Sequence, residues 1–198
     1  MKLKIRNTEI YISFLFSLLL SFLIAFDASL TVLVCFISII LHELAHTLML
    51  CILKAPIRKL EFQPFGIYIE HSEYMLCRRQ RLLVASAGVI FNLLFAVILM
   101  VIYIAGKNQT FLKISMINFL LFLFNSLPVK NLDGGDMLKV FLELRLGFDK
   151  GSRVFKRVSL ITSILMMIAG AVVFLKFNHN PSLLIISLTL LFYCFSDK

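Results

Sequence analysis

Residues 28–52 read ASLTVLVCFISIILHELAHTLMLCI. The run is long and apolar enough to cross a hydrocarbon core, which takes about 20 residues of helix. Its inner half nevertheless carries His42, Glu43 and His46. A charged side chain near the bilayer centre costs roughly 2.5–3.5 kcal/mol on insertion scales, so ionisable groups at that depth face a cavity or a partner and mark function. Glu43 is the only acidic residue deep within an apolar run, and two of the chain's four histidines flank it. The competing reading, a polar trio hydrogen-bonded between packed helices, would account for burial but not for the spacing.

The rest of the chain supports a membrane setting. Of its 198 residues, 60% are hydrophobic and 16% charged, and the mean hydropathy is +0.95, against an apolar fraction of about 45–50% in soluble domains. A soluble enzyme, a disordered tail and a secreted disulfide module are excluded. Five further spans are predicted, at about 10–26, 82–105, 110–127, 158–176 and 181–196. The first is read as retained, because it outlasts a secretory h-region and no small-x-small cleavage pattern follows. The four cysteines are scattered, which suggests neither a disulfide framework nor a cysteine metal site.

Charge sets the orientation. All of the 20 Lys and Arg except Lys107, Lys113 and Lys176 fall on one side of a six-span arrangement. By the positive-inside rule both termini and the two long loops are cytoplasmic. The formal charge of +9 therefore reports topology, and no nucleic-acid partner is expected. Segment 57–72, IRKLEFQPFGIYIEHS, reads as a short β-hairpin turning at Pro64 to Gly66. Segment 136–157 is amphipathic through Met137, Leu138, Val140, Phe141 and Leu144, and is expected along the interface. The predicted fold is an all-α polytopic transmembrane bundle of about six spans with that hairpin near the active site. Residues 1–198 form a single integral-membrane domain in this reading, with neither a CBS nor a PDZ domain.

The chemistry follows from HExxH on a helix. Two histidines four apart share one face, about 6 Å between their stems, so both imidazoles can meet one Zn²⁺ ion. The intervening glutamate, Glu43, can take a proton from water activated there. A hydrolytic zinc site needs a third protein ligand. The candidate lies in Asn125-Ser126-Leu127-Pro128-Val129-Lys130-Asn131-Leu132-Asp133-Gly134-Gly135-Asp136, where Pro128 ends a helix and the two glycines permit a sharp turn. Asp133 is preferred and Asp136 competes, since Asp136 could instead cap the helix that follows. His71 and His179 are read as solvated.

His42-Glu43-Leu44-Ala45-His46 in one span, followed by N-x-x-P-x-x-x-L-D-G after a later one, resembles the site-2 protease family of intramembrane zinc metalloproteases. Ala87-Gly88-Val89-Ile90-Phe91-Asn92 is similar to a third family pattern in the intervening helix. Ile57-Arg58-Lys59 and Pro64-Phe65-Gly66 bring the likeness closest to the stage IV sporulation protein FB group. Two positions depart from the pattern: Val89 and Asn131 stand where that family often has proline.

The resemblance implies His42, His46 and Asp133 as ligands of one zinc ion, Glu43 as general base and Asn125 as a substrate contact. It also implies a membrane-associated protein substrate such as a sporulation sigma-factor precursor and an inhibitory membrane partner. The place of the motif, about three turns from the cytoplasmic end of its span, favours cleavage on the cytoplasmic side of the lipid bilayer. The alternative function is a non-catalytic scaffold or pseudoprotease that binds transmembrane helices. Retention of all four polar groups argues against it.

Overall fold

In lipid, a spanning segment must satisfy its backbone hydrogen bonds internally, which favours helices wherever the chain is continuously apolar. The computed structural model describes residues 2–5, 8–12, 30–55, 57–63, 66–71, 76–176 and 182–195. It divides into two compact units, Met1–Leu123 and Phe124–Lys198.

The first unit contains strands β1 (Lys2–Ile5) and β2 (Thr8–Ile12), helix α1 (Leu30–Ile52), strands β3 (Ile57–Gln63) and β4 (Gly66–His71), helix α2 (Arg78–Gly106) and most of α3 (Gln109–Asn125). α1 packs on α2 and also touches β4. The start of α2 is fixed at Cys77, whose backbone N–H donates to Gln80 Oε1 at 2.9 Å. Its end is fixed at Lys107, in the left-handed region at φ 51°. Between the helices the ties are polar. Ser115 Oγ donates to the Ala96 carbonyl at 2.7 Å, joining α3 to α2, and Asn118 Nδ2 donates to Ser38 Oγ at 3.1 Å, joining α3 to α1.

The predicted hairpin is present as β3 and β4, paired antiparallel from Ile57↔His71 to Gln63↔Gly66. Pro64 and Phe65 of its turn lie outside the described residues. The sheet is larger than expected: its order is β1-β2-β3-β4, with β2 and β3 parallel. The N-terminal tail supplies the two additional strands. Residues 10–12 of the predicted first span therefore belong to β2, and its remainder lies outside the described residues.

The second unit holds the end of α3, then α4 (Asp133–Leu146), α5 (Phe148–Lys176) and α6 (Ser182–Phe195), with α5 packed against both α4 and α6. Val129, Leu132 and Leu190 form a small core, with Phe124, Leu127, Met166 and Cys194 around it. The 136–157 segment is not one amphipathic element. Gly147 at φ 83° breaks it, and α5 carries its basic first turns directly into the predicted fifth span. A positive φ stops a right-handed helix, and glycine adopts it without steric cost.

Among the described residues, three helices, α1, α2 and α5, are long and apolar enough to cross a membrane, while α3 and α6 are shorter. Alongside buried apolar residues such as Leu50 and Val129, small polar side chains are buried and many large apolar ones are exposed. The most fully buried side chains include Asn92, Asn118, Ser38, Ser115, Ser159, Ser163 and Ser187, whereas Leu175, Phe192 and Ile104 are 73%, 69% and 66% exposed. Small and polar residues between helices with large apolar residues outside are the pattern of helices solvated by lipid.

Candidate metal centre

The site begins on α1. The i, i+4 spacing places His42 and His46 on one face, and both are buried, at 5% and 7% exposure. Their rings meet edge to face with centroids 4.8 Å apart, and the two Nε2 atoms are 3.2 Å apart. Nitrogens bound at about 2.0–2.1 Å to one tetrahedral ion stand about 3.3–3.4 Å from each other, so the pair is already spaced for a shared cation. Glu43 lies between them in sequence and is half-buried.

The opposing wall is α2, read along one face at four-residue intervals. The Val84 carbonyl accepts from His46 Nδ1 at 2.8 Å, and Asn92 Nδ2 donates to His42 Nδ1 at 2.9 Å. Between these two anchors sits Gly88. A Cβ there would fall 2.6 Å from His42 Nε2 and collide with His46 Nε2. The missing side chain thus makes the space into which both ligand nitrogens point. Donor type, spacing, burial and this cradle all fit a metal ion.

In the second unit, α3 ends at Asn125, three residues before Pro128. The chain then turns through 126–132. Gly134 packs so closely on the Ser126 carbonyl, and Gly135 on the Val129 carbonyl, that a Cβ at either would overlap the backbone. Lys130 N–H donates to Ser159 Oγ at 2.8 Å, tying the turn to α5. Asn131 takes φ 71°, which excludes the proline often found at this place in the pattern. Asp133 is the first residue of α4 and is half-buried, while Asp136 is exposed. Leu132 holds the N-cap position, so Asp136 is not the cap; its amide makes the first-turn bond to the Leu132 carbonyl at 3.1 Å. Both aspartates favour the positive end of the helix dipole.

Within the first unit the structure brings together His42 and His46, while Asp133 and Asp136 belong to the second. Asn125 is half-buried at the C-terminus of α3. His71 ends β4, and His179 lies outside the described residues. In the sequence Asn92 stands only as the last residue of a pattern, and Val84 contributes a backbone carbonyl that no motif marks. Their common spacing with Gly88 was the available signal.

The chain is similar to known proteins in sequence and in fold. Residues 30–114 match peptidase family M50. A zinc metalloprotease of Methanocaldococcus jannaschii is 24% identical over 163 residues, which cover 79% of this chain and 46% of that protein. The chain thus spans about half the length of that curated relative. The solved structure of the site-2 protease from Methanocaldococcus jannaschii is similar in fold, with a TM-score of 0.67 at 21% identity, over 98% of this chain and 93% of that one.

Proposed function

From a chain whose residues 30–114 match peptidase family M50 and whose fold matches that of a site-2 protease, we propose an intramembrane zinc metalloprotease. It holds one zinc ion per chain and hydrolyses a peptide bond in a membrane-associated or transmembrane protein. The observation that carries this reading is the pair of buried imidazoles, 3.2 Å apart at Nε2, on an apolar helix long enough to cross a membrane.

His42, His46 and Asp133 hold the ion. Zinc, when bound, supplies the Lewis acidity that polarises a scissile carbonyl and acidifies water. Glu43 accepts a proton from the attacking water and returns it to the leaving amine, so that the peptide bond is exchanged for a carboxylic acid and an amine. The polar lining given by Asn92 and the two histidines admits water where the surrounding helices are apolar.

A peptide bond inside a helix is shielded, so the substrate must be extended before attack. Strand β4 lies at the edge of the sheet and touches α1; an unwound substrate adds to that edge as a further strand. Asn125 contacts the substrate near the cytoplasmic end of α3. The substrate class is a membrane-tethered precursor of a transcription factor, with a sporulation sigma-factor precursor as the first case to test. The chain crosses the bilayer six times with both termini cytoplasmic, and a membrane partner holds the protease inactive until it is needed.

Co-expression with a sigma-factor precursor from the same source tests this reading, comparing the native chain with Glu43→Gln. Release of a shorter product by the native chain and none by the variant is expected. Cleavage that persists in Glu43→Gln removes Glu43 from the chemistry. If neither chain cuts while both are inserted, the sigma-factor class fails, and about one zinc per purified chain, lost in His46→Ala, then decides the metalloprotease reading.

A further inference from the structure

Seven consecutive residues at the join of α4 and α5, Leu144-Arg145-Leu146-Gly147-Phe148-Asp149-Lys150, are exposed. Leu146 and Phe148 stand 46% and 62% open on either side of Gly147, whose φ of 83° separates the two helices. One turn back on α4, Phe141 is also about half exposed and shares a face with Leu144 and Arg145, whose guanidinium lies 5.6 Å from the Phe141 ring centroid. Charge around this corner is one-sided. Residues 137–157 carry six Lys or Arg and two acidic residues, of which Glu143 is buried and Asp149 exposed. The positive-inside pattern accounts for the basic residues but not for the apolar ones beside them.

Large apolar side chains exposed together mark a contact surface. Lipid is one candidate, since α5 is long and apolar enough to cross a membrane. Lengths decide against it. From Val158 to Leu175, α5 has no charged residue, and these 18 residues rise about 27 Å, close to the whole hydrocarbon core of about 30 Å. Phe148 lies ten residues before that stretch on the same helix, about 15 Å farther along its axis. The headgroup layer on one side is only about 5–8 Å deep. Even a tilt of about 40° leaves the residue about 11 Å from the core. When α5 spans, the corner stands in water beyond the headgroups.

We propose that the α4–α5 corner is a docking surface for an acidic amphipathic segment of another protein. The apolar side chains of that segment cover Leu144, Leu146 and Phe148, and its carboxylates pair with Arg145, Lys150 and Arg153. Aromatic residues and Arg, the types enriched in protein interfaces, stand together here. The proposal rests on α5 as a span of the proposed topology and not on the metal centre.

The test uses the full chain in phosphatidylcholine bicelles. The chain has no tryptophan, so Phe148→Trp places a single reporter at the corner. Its emission is expected to be that of a water-exposed indole in bicelles alone, with or without added phosphatidylglycerol. It is expected to move to shorter wavelength with a synthetic amphipathic peptide of Leu and Glu, but not with the same peptide carrying Lys for Glu. In that background Arg145→Gln, Lys150→Gln and Arg153→Gln are each expected to weaken peptide binding about 1.5- to fivefold, and Leu146→Ser about fivefold. Short-wavelength emission before any peptide is added, quenched by brominated lipid, overturns the proposal in favour of the membrane surface and shows that α5 does not span as read. Emission that responds only to the ratio of chain to lipid gives the patch to a second copy and also overturns it. So does an equal response to both peptides, or a response to neither. Cleavage and zinc content play no part in the readout, so a failure here leaves the proposed chemistry standing.

Discussion

Two imidazoles occupy the space where a side chain on residue 88 would lie. Gly88→Ala would drive a methyl group to 2.6 Å from His42 Nε2, an overlap that typically costs about 1–3 kcal/mol if the rings give way. The variant is expected to insert normally but lose its zinc, read as metal per chain after purification; full occupancy would show that the rings have another place to go. At this scale the sequence was most legible where chemistry depends on local spacing. His42 and His46 are one turn apart, and that alone brings their nitrogens together. Asn92 was visible only as part of a pattern, because its pairing with His42 depends on how α2 lies against α1, and Val84 acts through a backbone atom that no side-chain motif encodes.

Elements were legible where apolar runs were long and ended in strong signals. α2 and α3 fall within a few residues of the predicted spans 82–105 and 110–127. The N-terminal strands were missed because pairing of β2 with β3 joins residues far apart in sequence, as Glu9↔Lys59 does. The break between α4 and α5 was missed because Gly147 interrupts an otherwise continuous amphipathic pattern. The turn before α4 carries its own prediction. Asn131 holds φ 71°, a conformation closed to proline, whose ring fixes φ near −65°. Asn131→Pro is expected to lower stability by more than about 2 kcal/mol and to impair metal retention through its neighbour Asp133, whereas Asn131→Gly should stay within about 1 kcal/mol. Thermal unfolding in detergent, with and without zinc, checks both; a stable proline variant would mean that the turn can be rebuilt.

For the molecule as a whole, the lipid-facing character read from composition agrees with the burial pattern: Asn92, Asn118 and several serines are buried, while many leucines, isoleucines and phenylalanines are exposed. How many helices cross was less legible, because length alone separates a span from a shorter apolar helix. α3 has 17 residues between the left-handed cap at Lys107 and the turn at 126–132. It is therefore about 26 Å long, several ångströms short of a hydrocarbon core of about 30 Å. As a span of the proposed topology, it requires the lipid around it to thin, at a cost of fractions of a kcal/mol per ångström. Proteolysis in vesicles is expected to slow steadily as the phosphatidylcholine acyl chains lengthen from short to long; rates indifferent to chain length would remove α3 from the spanning set. Hydrophobic mismatch also acts as an address. In a cell whose membranes differ in thickness, a helix this short partitions the protein toward the thinner one, so part of the choice of which substrates it meets is made before any of them reaches the metal.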